Sequence, residues 1–320
     1  HAFCLANTCF GAEIKDCIPV FFGDLYLSGI DGIVMTGIEL TGKHALLLID
    51  KRTDELSQLI VVCFFRQLKI HIVDLKAADA DDLIRQVQMK PDVKGTWLAQ
   101  CDGDLNGVYY TYLVSLNGKL TEACDPYART TGVNGNRAMV MDLSAANPAG
   151  WEEDRDPHAG QNVTDAAIYE LHIRDLSMDE HSGITHKGKF LGLAETGTVN
   201  TNGIPTGLDH IKQLGMTHVH LLPVYDFGFT DEALAQPQYN WGYDPVNFNV
   251  PEGSYATDPY HGEVRVAEMK QMVKTLHDNG LSVIMDVVYN HVYDGGSFCF
   301  NKLGASDGKR VNCQCGKYNY

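Results

Sequence analysis

The sequence predicts an α/β protein in which a region of short antiparallel strands precedes a region of alternating strands and helices. Between residues 76 and 145, apolar runs alternate with clusters of turn-forming residues, which is typical of a β-sandwich. After residue 164, each apolar run is followed by a helical pattern, which indicates a parallel sheet whose strands are buried on both faces. An eight-stranded barrel and an open doubly wound sheet both fit this second pattern.

The sandwich region is predicted from strict alternation and from turn signals. Every second residue from 108 to 116 is apolar or aromatic: Val108, Tyr110, Tyr112, Val114 and Leu116. Asn117-Gly118 follows at once and is a strong signal for a two-residue hairpin. Residues 102–107 form a cluster of turn formers, and residues 138–143 predict one more strand.

Two further segments are less regular. Residues 1–75 carry no recognisable motif, although residues 59–65 and 70–73 have the composition of short strands. Residues 146–164 are rich in Pro, Gly, Asn and acidic residues, and we expect them to be a linker. Residues 165–320 then form the predicted strand-and-helix domain.

The strand-and-helix domain contains three predicted strands, at residues 166–171, 217–222 and 282–288. Thr206 and Asp209 have capping-box spacing at the start of the first long helix. Its apolar face is predicted to carry Leu208, Ile211 and Leu214, and Gly215 is predicted to end it. The second helix is indicated by Val264, Ala267, Met272, Val273 and Leu276 and is predicted to end at Gly280.

Composition narrows the classes of partner. The formal net charge of −16 opposes binding to nucleic acid or to an anionic membrane, whereas neutral sugars remain compatible. The nine cysteines are odd in number and scattered, so we expect free thiols and a cytoplasmic location, or an extracellular one if the N-terminus is incomplete. No run reaches transmembrane length, and we expect a monomer.

The first motif is Asp286-Val-Val-Tyr-Asn290-His291, in which an apolar strand runs into polar residues. In a barrel, the carboxyl end of each strand faces the active site, so these residues are well placed for a ligand. Asp286 and His291 could equally satisfy backbone groups of the loop, and the motif alone does not decide between the two.

The second motif is Tyr239-Asn-Trp-Gly-Tyr243-Asp-Pro245, in the long loop after the second strand. Exposed aromatic rings suit sugar recognition, because a pyranose presents an apolar face that stacks on a ring. A loop anchored by buried aromatic residues explains this motif about as well when it is considered alone.

Together, the two motifs resemble the α-amylase superfamily (glycoside hydrolase family 13) and, within it, the type I pullulanases. Residues 168–175 and 217–223 resemble the family's first two barrel strands. Residues 107–112 and 124–128 resemble its immunoglobulin-like starch-binding-type domain. The resemblance therefore implies the first three strands of a (β/α)8 TIM barrel, preceded by an immunoglobulin-like β-sandwich.

The resemblance also implies roles for site residues. Tyr243 matches the residue that stacks on the glucose at the cleaved bond, and His291 matches one that hydrogen-bonds that sugar. Asp286 matches a residue that orders the site, with Trp241 and Asp244 as supporting residues. Asn290 matches a position that binds calcium in many amylases; no cofactor is required, and calcium is the one candidate.

The family cleaves α-1,6-glucosidic branch linkages in pullulan, starch-like α-glucans and glycogen by a retaining mechanism that uses two carboxylates. In the family these follow the fourth and fifth barrel strands. No Asp or Glu of this sequence lies in a matching motif, so we expect the catalytic carboxylates beyond residue 320 in a longer chain. The alternatives are another debranching or branching enzyme and a non-catalytic α-glucan-binding protein.

Overall fold

The computed structural model describes residues 4–5, 33–40, 43–50, 58–64, 69–76, 83–92, 96–116 and 119–304. The strands are β1 (Cys4–Leu5), β2 (Ile33–Leu40), β3 (Lys43–Asp50), β4 (Gln58–Phe64), β5 (Lys69–Lys76), β6 (Leu83–Gln88), β7 (Lys90–Pro91), β8 (Thr96–Asp102), β9 (Tyr109–Leu116), β10 (Lys119–Ala123), β11 (Ala138–Met139), β12 (Ile168–Leu171), β13 (His218–Leu221), β14 (Tyr225–Phe227), β15 (Pro245–Pro251) and β16 (Ser282–Met285). The helices are α1 (Ile173–Ser177), α2 (Phe190–Ala194), α3 (Gly207–Gln213), α4 (Gly262–Asp278) and α5 (Cys299–Gly304). Among the described residues, no helix is long and apolar enough to cross a membrane.

Two antiparallel sheets make up the first part of the chain. One has the strand order β2-β3-β4-β8-β7, and the other has the order β10-β9-β5-β6, with β11 paired to β9. Ala99 and Cys101 from β8 share a core cluster with Tyr110 and Tyr112 from β9, so side chains of the two sheets pack together. Cys101 is a free thiol, as are Cys124 and Cys299, which confirms the expectation of free thiols for these three.

Strand β9 confirms the predicted alternation, because Tyr110, Tyr112 and Val114 are buried. Leu116 pairs with Lys119, which confirms a two-residue hairpin, although residues 117 and 118 lie outside the described part of the chain. The opposite face of β9 is also covered. Tyr109 is 2 % exposed, and its hydroxyl donates to the Tyr260 carbonyl at 2.8 Å.

The strand predicted at residues 138–143 is shorter than expected. Only Ala138–Met139 forms a strand, and Leu143–Ala146 forms a short 3-10 helix. Asp142 ends the extended segment, because its carboxylate accepts the Ser144 N–H at 2.9 Å and caps this helix.

Three parallel strands begin the second part, in the order β16-β13-β12. Val219 and Leu221 of β13 and Val283 of β16 pack against α3 and α4 in a second core cluster. Strand β1 pairs with β16 in the antiparallel direction and lies along its other edge. The three predicted strands are thus confirmed, although the third ends at Met285, just before Asp286.

Helix α3 departs from the sequence prediction at both ends. Leu208 and Ile211 are buried as expected, but Leu214 follows the helix and is 47 % exposed, so its predicted place on the buried face was wrong. The Thr206 side chain makes no capping hydrogen bond within the described structure. Asp209 accepts the N–H of Gly197 instead of completing a capping box.

The segment predicted as a linker, residues 146–164, makes several side-chain contacts with the second part. Asp154 pairs with His277 of α4 at 2.7 Å, and both side chains are nearly fully buried. The Ser282 hydroxyl donates to Asp156, and His158 Nε2 lies 3.0 Å from the Gly280 carbonyl. These contacts hold the segment against the amino-terminal side of the parallel strands.

Candidate functional site

Tyr243 and Asp286 meet at the carboxyl end of the parallel strands. The Asp286 N–H donates to the Leu221 carbonyl at 3.0 Å, which places Asp286 directly beyond β16. The Tyr243 hydroxyl donates to Asp286 Oδ2 at 2.6 Å, a short charge-assisted bond. The two motifs, 43 residues apart in sequence, are therefore joined at this edge of the sheet.

Tyr243 is a neutral hydrogen-bond donor in this setting. Burial raises the pKa of Tyr243, and the hydrogen bond to the Asp286 carboxylate raises it further, because ionisation would place two negative charges together. The hydroxyl thus fixes the ring in one orientation while the side chain stays partly exposed. This arrangement suits a ring that receives the face of a sugar.

His291 is tied to the same loop from the other side. Its Nε2 contacts the Tyr243 carbonyl, and its Nδ1 lies 3.0 Å from Asn290 Oδ1. A carbonyl oxygen can only accept, so Nε2 carries a proton. His291 therefore positions the Tyr243 backbone, and Asn290 is an exposed neighbour of the imidazole.

Asp244 lies within the loop rather than at its surface. Its Oδ2 accepts from Asn240 Nδ2 at 3.2 Å, and its Oδ1 is buried without a hydrogen-bond partner in the described part of the chain. Burial raises the pKa of Asp244 to about 6, against the opposing effects of the Asn240 hydrogen bond and the His291 charge. The Asp244 carboxyl is thus tied to Asn240 inside the loop, and burial favours its neutral form.

Trp241 is the most exposed aromatic residue of its motif. Its side chain is 58 % exposed and meets Tyr239 edge-to-face, with ring centroids 5.9 Å apart. Tyr239 in turn stacks on His172 at 5.1 Å and donates to Asp175 at 3.2 Å. Trp241, Tyr239 and His172 thus form a second aromatic group, in which the Trp241 side chain is exposed.

Gly242 allows the loop to turn between Trp241 and Tyr243. Its φ of +86° lies in the left-handed region. A Cβ at this position would lie 2.9 Å from Pro223 Cβ, so the loop needs glycine for both backbone and space.

Two residues that the sequence did not single out hold this loop in place. Asn240 Oδ1 accepts the Gly242 N–H at 2.9 Å, so the amide side chain bridges the turn. His172 Nε2 lies 2.8 Å from the Asn240 carbonyl and 3.1 Å from the Tyr255 hydroxyl. A signal was available, because Asn240 lies inside the aromatic motif and His172 directly follows β12.

Within the described residues, the one group of acidic, His or Cys side chains close enough to share a cation is Asp226, Glu232 and Glu252. That group surrounds the fully buried Arg265, whose Nη2 lies 2.8 Å from Glu232 Oε2, so the guanidinium already supplies the positive charge. Calcium at Asn290 stays a prediction from the family resemblance.

Comparison with known proteins relates this chain to one family. Residues 183–308 match the family described as the alpha-amylase catalytic domain. Pullulanase of Bacillus subtilis (strain 168) is 43 % identical over 218 residues, covering 68 % of this chain and 30 % of the relative. Chloroplastic pullulanase 1 of Arabidopsis thaliana is 34 % identical over 248 residues, covering 64 % of this chain and 25 % of the relative.

Solved structures of pullulanases also resemble this chain. A crystal structure of pullulanase from Paenibacillus barengoltzii, in complex with maltohexaose and alpha-cyclodextrin, superposes with a TM-score of 0.74 at 42 % identity over 95 % of this chain and 45 % of that one. Pullulanase from Bacillus acidopullulyticus has a TM-score of 0.73 at 35 % identity, covering 84 % and 36 %. The chain spans under a third of the two curated relatives and under half of these solved structures.

The second part has parallel strands with polar residues at their carboxyl ends, and it matches the alpha-amylase family. These findings define it as α-amylase-type, and its structural neighbours have the TIM-barrel fold. Within the α-amylase superfamily, this chain is homologous to the glycoside hydrolases called pullulanases.

Proposed function

We propose that this chain forms one wall of the sugar site of a pullulanase-type enzyme that hydrolyses α-1,6-glucosidic branch linkages in pullulan, starch-like α-glucans and glycogen. The observation that carries the proposal is the Tyr243–Asp286 hydrogen bond, which presents an aromatic face at the carboxyl end of the parallel strands. In this proposal, Tyr243 stacks on the glucose at the cleaved bond, while Asp286 and His291 fix the ring and its backbone.

The proposed chemistry is retaining, with a nucleophilic carboxylate and an acid/base carboxylate about 5 Å apart. None of the residues at the site described here is assigned either role. Tyr243, Asp286 and His291 bind and orient the sugar. The antiparallel sheets are proposed to be an immunoglobulin-like module that supports the barrel, since Tyr109 bonds to the Tyr260 carbonyl just before α4.

Glucan binding by the 320-residue chain is the direct test, measured by calorimetric titration with maltotriose. Tyr243→Ala should weaken binding strongly and leave the thermal unfolding profile near that of the wild type. Tyr260→Ala is a matched control, because Tyr260 is 43 % exposed and lies outside the motif. Equal binding by wild type and Tyr243→Ala would remove Tyr243 from the site.

Linkage specificity needs a separate measurement in the active enzyme. Cleavage of α-1,6 bonds in pullulan should release maltotriose. Release of a trisaccharide that keeps an α-1,6 bond would contradict the proposed specificity. If a longer protein that contains this chain binds sugar but hydrolyses no α-glucan, a non-catalytic α-glucan-binding protein becomes the better description.

A further inference from the structure

Phe229 is both exposed to solvent and held in an unfavourable backbone conformation. Its side chain is 73 % exposed, and its φ of +53° lies in the left-handed region. Within the described residues, the other non-glycine residue with positive φ is Asn134, a type that tolerates this region, whereas a bulky aromatic residue rarely adopts it. Such strain persists where the surrounding structure enforces it, and it concentrates at ligand-binding sites.

Contacts with the loop that carries Tyr243 hold the segment around Phe229 in this conformation. The N–H of Gly228 donates to the Asp244 carbonyl at 2.9 Å, and the Gly228 carbonyl accepts from the Asn240 amide. Gly228, the residue before Phe229, is therefore attached to the Asp244–Pro245 peptide, which directly follows Tyr243.

Tyr293 supports the Phe229 ring from the other side. The two rings meet edge-to-face, with centroids 4.6 Å apart and an interplanar angle of 88°. The Tyr293 N–H donates to the Pro245 carbonyl at 2.9 Å, which anchors Tyr293 to the same loop. A Cβ on Gly228 would lie 2.3 Å from the Tyr293 ring, so Gly228 lets the two segments approach closely.

The segments that carry Phe229 and Tyr293 thus flank Tyr243 and its neighbours, and the Phe229 ring remains open to solvent. An edge-to-face contact leaves the flat face of one partner available. An uncharged, exposed aromatic face on a segment bonded to the Tyr243 loop fits the apolar face of a pyranose. The formal charge of −16 disfavours nucleic-acid bases, the other common flat ligands.

We propose that Phe229, supported by Tyr293, is a second stacking subsite, which binds a glucose residue of an α-1,4-linked glucan beyond the sugar held at Tyr243. This inference rests on the proposed function, because it extends the same sugar site. It makes Phe229 a determinant of chain-length preference rather than a residue of the reaction itself.

The experiment compares maltose with maltohexaose in calorimetric titrations of the 320-residue chain. The proposal requires maltohexaose to reach both stacking positions and maltose to reach the Tyr243 position alone. Phe229→Gly removes the ring and relieves the left-handed backbone. It should weaken maltohexaose binding about 5- to 10-fold, leave maltose binding unchanged and leave the melting temperature unchanged or higher.

Two further variants separate a flat ring from apolar bulk. Phe229→Tyr keeps an aromatic face and should bind maltohexaose like the wild type, whereas Phe229→Leu should lose the preference for the longer sugar. Leu120→Ala is the matched control, because Leu120 is a 55 % exposed apolar residue on β10, in the antiparallel part of the chain. It should change neither affinity.

The outcomes distinguish this subsite from the proposed function. If the wild type binds neither sugar, both ideas are overturned. If the wild type binds both sugars and Phe229→Gly binds maltohexaose equally well, the subsite alone is overturned. If Phe229→Gly weakens the binding of maltose and maltohexaose equally, Phe229 belongs to the same subsite as Tyr243. If it lowers the melting temperature and leaves binding intact, the Phe229 ring has a structural role. Both results overturn a separate subsite.

Discussion

Arg265 of α4 is a fully buried cation at the junction between the two parts of the chain. Its Nη2 bonds Glu232 Oε2 at 2.8 Å, the Gly132 carbonyl at 3.1 Å and the Pro259 carbonyl at 3.0 Å. Its Nη1 donates to the Pro251 carbonyl at 3.2 Å. The guanidinium therefore connects the antiparallel part, the loop after β13 and the start of α4.

Arg265→Met should destabilise the protein by about 3–5 kcal/mol, because it leaves the buried Glu232 carboxylate without its partner. For a domain of 150–250 residues, this corresponds to a fall of roughly 6–20 °C in melting temperature. Urea unfolding followed by tryptophan fluorescence measures the free energy, and calorimetry measures the melting temperature.

A matched control lies on the same helix. Lys274 and Asp278 form a pair at 2.7 Å in which Asp278 is 58 % exposed, so Lys274→Met should cost less than about 1 kcal/mol. The double variant Arg265→Met with Glu232→Gln should recover part of the Arg265→Met loss. An Arg265→Met loss below about 1 kcal/mol would refute the view that the buried Arg265–Glu232 pair stabilises this junction.

Two further predictions concern Asp226 and Gly242. Burial raises the pKa of Asp226 to about 8, and the neighbouring Glu232 charge adds to the effect. The folded state therefore favours the neutral acid form of Asp226. The stability that this preference contributes is lost as pH rises from about 4 to about 8. Asp226→Asn should therefore gain stability relative to the wild type between pH 5 and pH 8 in urea unfolding, and an equal difference at both pH values would contradict this. Gly242→Ala should destabilise by about 1–3 kcal/mol and weaken maltotriose binding, because a methyl group there meets Pro223. Gly197→Ala is the control for backbone strain alone, because Gly197 has a φ of +73° and no described atom lies within 4 Å of the added carbon. Equal losses of stability in Gly242→Ala and Gly197→Ala would show that crowding at Gly242 is unimportant.

Local sequence patterns located the strands and helices more accurately than they located the ends of these elements. Alternation with period two located β9 and its buried face, and compact apolar runs located β12, β13 and β16. The end of α3 was misjudged at Leu214, because an apolar residue at helical spacing does not reveal whether the chain still follows the helix there. Such ends depend on caps and neighbours that periodicity does not contain.

The sequence alone determined that Tyr243, Asp286 and His291 belong to the carboxyl ends of parallel strands, because each follows a recognisable strand pattern and the motifs match a known family. Only the tertiary structure decided that the Tyr243 hydroxyl bonds Asp286, and that Phe229 and Tyr293 flank that loop. It also decided that Arg265, a charged residue on a helix, is fully buried. These contacts join residues 33 to 133 positions apart. Periodicity reports which face of an element is buried, whereas the identity of the partner depends on how distant segments pack.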